Sequence, residues 1–155
     1  MIETDDDASA SPGTPALAPS QFLVVVGIGA SAGGIKALQT FFEHVAPDSG
    51  FAYVVILHLS PEHESRLAAV LQTVAPIPVK QVNERVRVEP NVVYVIPPDG
   101  HLSMTDEHIV VTSNVTVAER RAPVDTFFRS LAESHGARAI CVWCCRERAP
   151  TARWG

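Results

Sequence analysis

The sequence predicts an α/β fold, a doubly wound and mostly parallel sheet of the Rossmann-like kind. Three observations predict it. The runs at residues 22–28 and 51–57 are continuously apolar and rich in β-branched residues, the mark of strands covered on both faces. Stretches with helical apolar spacing alternate with such runs, as in a chain of strand–helix–strand units. At 155 residues with 46% hydrophobic and 19% charged residues, the chain is long enough to bury one real core.

The elements follow in order. Residues 1–20, acidic and rich in Ala, Ser and Pro, read as a tail that buries nothing. It has neither a basic n-region nor an apolar h-region, so it does not read as a signal peptide. The strand at 22–28 is expected to end in a Gly-rich turn. A helix follows at 35–45, where Ala37, Leu38, Phe41, Phe42 and Val45 share a face. The strand at 51–57 leads through His58 to Ser60, an N-cap, and Pro61 at N1, with Glu62 and Glu64 favourable to the helix dipole. Leu67, Val70, Leu71 and Val74 continue that helix. Short strands are expected at 79–82 and 92–96, the second stopped by Pro97 and Pro98. Alternation at 102–105 and 108–112 around Asp106 and Glu107 predicts a hairpin. Pro123 opens a helix that Gly136 closes, and residues 139–142 begin a further strand.

The composition excludes some classes of function. Twelve basic against 17 acidic residues leave a net charge of −5, which argues against a nucleic-acid footprint. No apolar run approaches the roughly 18 residues of a membrane span, so neither membrane insertion nor secretion is expected, and a cytoplasmic protein is. His58 and His63 are a weak metal spacing with no partner cluster, and no metal is expected. His44, His101, His108 and His135 read as surface residues, and Arg120 and Arg121 as a solvated pair. Cys141, Cys144 and Cys145 crowd into five residues, but half a zinc site and a thioredoxin-like helix start are both missing.

The run VVVGIGASAGGIKAL fits two chemical templates. From Gly27, G-I-G-A-S-A matches the dinucleotide fingerprint; from Gly29, G-A-S-A-G matches the nucleophile elbow. A dinucleotide site wants an acidic residue leaving the second strand, and the residue there is His58. The elbow reading gains from that same histidine. Ser31 and His58 both stand at carboxyl ends of strands, where doubly wound sheets bind ligands. His58 is then the base that takes the Ser31 proton. The backbone N–H groups of Ala32 and Gly33 are candidates for holding an oxyanion. A serine that merely satisfies a turn, with a hydrogen-bonded histidine beside it, is the plain alternative.

GIGASAGG, HLSPEHES, VEPNVVYVIPPDGHL and RRAPVDTFFRSLAE, in that order, resemble the catalytic domain of CheB-type chemotaxis protein-glutamate methylesterases over about residues 22–142. The resemblance implies hydrolysis of glutamate methyl esters on methyl-accepting chemotaxis receptors, with deamidation of some glutamines. It implies Ser31 as nucleophile, His58 as general base and no cofactor. The HLSPEHES form looks like methylesterase–methyltransferase fusions, so a fused or separate receptor methyltransferase is an implied partner.

The family's third triad member is an aspartate in a segment resembling VVLSGTGSDG, just after the strand beginning at Ala139. Here the chain reads CVWCCRERAPTARWG, and no Asp follows Asp125. Back-translation from the last base of the Val142 codon permits V-V-L-S-G-T-G-A-D-G. A frameshift near codon 142 is the expectation. It makes residues 21–143 a C-terminally incomplete methylesterase domain and 144–155 an aberrant tail, with impaired activity and poor solubility. The alternatives are a non-catalytic receptor-binding fragment and a dinucleotide-binding domain.

Overall fold

A computed structural model describes residues 23–58, 66–113 and 115–144. The element order is β1 (Val25–Ser31), α1 (Ile35–Glu43), β2 (Ala52–His58), α2 (Leu67–Gln72), β3 (Val79–Gln81), β4 (Val86–Arg87), β5 (Val92–Val95), β6 (His101–Thr105), β7 (His108–Thr112), α3 (Val117–Arg121), α4 (Pro123–His135) and β8 (Ala139–Cys144). Five strands form a parallel sheet in the order β3-β5-β2-β1-β8; β4, β7 and β6 form a separate antiparallel sheet. The expected parallel α/β architecture is present. The expected tail at 1–20, the Ser60 cap with Pro61, Glu62 and Glu64, His63, and residues 145–155 lie outside the described residues.

β2 is buried at every position from Ala52 to Leu57, and β5 throughout, as their unbroken apolar runs require. On one face, α1 sets the buried ring of Phe42 edge-on to Tyr53, with centroids 5.6 Å apart. On the other face lies α4, and the glycines of β1 show how closely. A Cβ on Gly27 would come within 3.0 to 3.3 Å of Leu131, Phe128 and Phe127, and one on Gly29 within 2.4 Å of Val124. Bare glycine lets α4 lie almost on the β1 backbone. Its N-terminal Val124 sits further along β1 than Leu131, so α4 descends antiparallel to the strands.

Small polar contacts lock the connections. Gln72 closes the turn after α2, accepting from Val79 N–H at 2.8 Å and donating to the Ile77 carbonyl at 3.3 Å. Asn91, at φ +59°, accepts from Gly50 N–H at 2.8 Å and donates its own N–H to the Phe51 carbonyl at 2.8 Å. That ties the entries of β2 and β5 together. The Ser130 hydroxyl on α4 accepts from Met104 N–H (2.9 Å) and Ser134 donates to the Asp106 carbonyl (2.8 Å), fastening the small sheet to the helix.

Three expectations need correction. The first strand does not give way to a turn after Ile28; it runs on through Gly29, Ala30 and Ser31 because the ladder with β2 continues to that point. His101 and His135 are not surface residues, being 9% and 5% exposed. His101 opens β6 near Glu119 and Arg120 of α3, and His135 ends α4 near Glu107 and Arg138, so both are placed by elements distant in sequence. Two short elements were also not foreseen, β4 with two residues and α3. For α3 a signal was present, since Thr116 and Glu119 form a reciprocal capping box.

Candidate functional site

Ser31 and His58 are register partners, the last pair of the β1–β2 ladder. Register partners in a parallel sheet project to the same face, and alternation along β1 places Ser31 on the Gly27–Gly29 face, the side of α4. Both residues therefore stand at the carboxyl edge of the two central strands, above the N-terminus of α4. The Ser31 side chain is half-buried and that of His58 exposed. Among the described residues no hydrogen bond joins the two side chains.

Ser31 has extended backbone (φ −87°, ψ 167°) and heads a single 3-10 turn, Ala32–Gly34, that leads into α1. Its side chain makes no cap hydrogen bond, so the hydroxyl is not consumed by the helix start. The first N–H groups of such a turn have no acceptor within it. Ala32 and Gly33, the oxyanion candidates, lie there and are both exposed. A Cβ on Gly33 would stand 3.9 Å from Ser31 Oγ, so that hydroxyl lies over the first turn and not away from it.

Other residues reach the same edge. Trp143 on β8 is the register partner of Gly29, and its ring lies over that glycine, with a Cβ there 2.8 Å from Cε3. No sequence signal points to Trp143, because its place depends on β8 pairing with β1. His101 begins β6 just past the β5 exit. Burial pulls its imidazole below the ordinary range, with the Glu119 carboxylate pulling up and the Arg120 guanidinium pulling down. Its Nδ1 is buried without a partner. Glu119 is itself held below the ordinary carboxyl value, first by the Thr116 backbone N–H and then by the Thr116 hydroxyl. Cys141 lies below this edge, paired with Gly27; burial raises its thiol, which is not the setting of a reactive thiolate.

A serine and a histidine side by side at the carboxyl edge of a parallel α/β sheet define a class. These are α/β domains that bind ligands where the central strands end. Within that class the chain belongs to the CheB methylesterase family, whose family model matches residues 26–144.

Individual relatives agree. The chain is 30% identical over 122 residues to a protein-glutamate methylesterase/protein-glutamine glutaminase of Yersinia pestis, covering 76% of this chain and 35% of the relative. A protein of the same name from Photorhabdus laumondii is 28% identical over 122 residues with the same coverage. A putative one from Leptospira interrogans is 27% identical over 119 residues, covering 74% of this chain and 60% of that protein. The crystal structure of the Thermotoga maritima CheB methylesterase catalytic domain superposes with a TM-score of 0.68 at 25% identity, over 77% of this chain and 66% of that one. The chain thus spans between about a third and two thirds of the proteins it matches.

Proposed function

We propose that this chain is the Ser–His portion of a protein-glutamate methylesterase that also deamidates glutamine. The observation that carries the reading is the pairing of Ser31 with His58 at the end of the β1–β2 ladder. Ser31 Oγ attacks the carbonyl carbon of a glutamate γ-methyl ester while His58 takes the hydroxyl proton. The Ala32 and Gly33 N–H groups hold the oxyanion. Collapse expels methoxide, which leaves as methanol with the proton from His58. Water, deprotonated by His58, then attacks the acyl-serine, and Ser31 Oγ departs reprotonated. A glutamine substrate follows the same course and releases ammonia. No cofactor enters. The substrates are methyl-accepting chemotaxis receptors, the setting is the cytoplasm, and a receptor methyltransferase is the fused or separate partner.

Residues 144–155 are, in this reading, translated out of frame. What supports this is the codon set: the alternative frame forces Val and Leu and permits the Ser-Gly-Thr-Gly-Ala-Asp that the resemblance calls for. That aspartate is what the resemblance implies for holding the imidazole tautomer, and its replacement is worth about 10⁴ in kcat in serine proteases. A fluorophosphonate probe tests the dyad with this chain as it is. Slow covalent labelling, lost in both Ser31→Ala and His58→Ala, is expected; labelling that survives Ser31→Ala refutes the assignment. The stretch CVWCCRERAPTARWG, standing where the resemblance calls for the aspartate segment, favours one second reading, a fragment that binds receptors without turnover. There Ser31→Ala leaves binding intact and no methanol appears even from the unaltered chain.

A further inference from the structure

We propose that Arg120 and Arg121 form a carboxylate-reading step beside the Ser31–His58 edge, favouring peptide segments that carry glutamates next to the reacting side chain. The inference rests on the hydrolase reading for its substrate class.

The position comes from packing. Leu131 lies over Gly27 and Val124 over Gly29, so following α4 toward its N-terminus moves in the same direction as following β1 toward Ser31. Only Ala122 and Pro123 separate Arg121 from Val124, and Ser31 is two residues beyond Gly29, or roughly 7 Å along the strand. The α3–α4 junction therefore stands at the level of the Ser31–His58 pair. His101, following the β5 exit, senses both Glu119 and Arg120, which brings α3 to the same edge of the sheet.

The charge is uncommitted. Both arginines are exposed, and among the described residues neither makes an ion pair or hydrogen bond to a side chain. Glu119, the acid closest in sequence, accepts both the backbone N–H and the hydroxyl of Thr116 at Oε2, at 2.8 Å each. Those bonds hold its carboxylate at the cap, and it forms no ion pair with either arginine. In a chain of net charge −5, two adjacent unpaired guanidiniums at the reactive edge are a local exception. Guanidinium is suited to carboxylate through its paired N–H donors.

The chemistry gives this a consequence. Each ester or amide hydrolysed leaves a new glutamate on the substrate chain. A site that reads neighbouring carboxylates binds a partly processed segment better than an untouched one. Successive turnovers on one segment then become progressively easier.

The test uses the full chain and two fluorescein-labelled peptides, each with one glutamate γ-methyl ester. One carries glutamates four residues to either side, the other glutamines. Fluorescence anisotropy at about 50 mM salt should show the acidic peptide binding roughly three- to ten-fold tighter, from two exposed contacts. That gap should close near about 300 mM salt, where screening is strong. It should vanish in R120Q/R121Q and survive in part in R120K/R121K. Equal binding of the two peptides by the unaltered chain, binding of neither, or a gap retained in R120Q/R121Q overturns the proposal. Because the unaltered chain supplies the salt comparison, misfolding of a variant does not remove the test. Failure of the hydrolase reading registers separately, as absent fluorophosphonate labelling of Ser31.

Discussion

The packing of α4 on β1 makes Gly29→Ala the sharpest perturbation of the site's scaffold. The new methyl would sit 2.4 Å from Val124 Cγ1 and 2.8 and 3.0 Å from two ring carbons of Trp143, where carbons prefer about 3.5–4.0 Å. Val124 is 3% exposed and helical, so its χ1 is nearly fixed and it cannot swing aside. The first turn of α4 must lift, or β1 must bow. Overpacking of this kind costs about 1–3 kcal/mol, and replacing glycine returns about 0.4–1 kcal/mol through the unfolded chain. The net loss is about 1–2 kcal/mol, or a fall in Tm of about 3–8 °C for a domain of this size.

Gly27→Ala meets side chains no nearer than 3.0 Å and should lose less. Gly33→Ala has only Ser31 Oγ within reach, at 3.9 Å, and should be neutral or slightly stabilising. Thermal melting by circular dichroism at low protein concentration should therefore rank Gly33→Ala at or above the parent, then Gly27→Ala, then Gly29→Ala. A Gly29→Ala chain melting at or above its parent would refute the packing argument.

Three further outcomes are expected. Asn91→Ala should cost about 1–2 kcal/mol by denaturant titration, since alanine resists positive φ and Gly50 N–H loses its acceptor; Asn91→Gly should cost less. His101 and His135 are each held below the ordinary imidazole value of 6.5, burial being the first cause for both. Their neutral forms favour the fold, so stability should be full above that value and fall as pH drops through the lowered folded ones. Denaturant midpoints at about pH 7.5 and about pH 5 should differ less in a His101→Gln/His135→Gln chain than in its parent. Resequencing across codons 135–160 should return the frame encoding Ser-Gly-Thr-Gly-Ala-Asp; the present frame, found intact, removes the frameshift and leaves Ser31 and His58 without their expected third partner.

Much of this architecture was legible because the central strands are buried on both faces. Unbroken runs such as FAYVVIL admit few other readings, and the position of Ser31 and His58 at strand ends follows from where those runs stop. Register was not legible. That Ser31 faces His58, and not a neighbour one step away, depends on backbone pairing between strands 20 residues apart. The extension of β1 through the glycines was missed for a related reason. Glycine usually signals a turn, whereas here the missing Cβ atoms make room for Val124 and Trp143. His101 and His135 were misplaced because a polar residue in a short hairpin or at a helix end looks solvated until a second layer covers it. Here α3 comes near His101, and Glu107 of the small sheet near His135.

The Ser31–His58 pairing is internal to one contiguous stretch, Val25–Ser31, α1 and Ala52–His58. The ladder between β1 and β2 sets the relative height of the two side chains. The pair is thus a cassette. Recombination that carries residues 25–58 as a block carries Ser31 and His58 already in register, whereas Arg120 and Arg121 come with a separate stretch of chain. Changes in the distal chain can alter what surrounds Ser31 and His58 and leave their pairing in place.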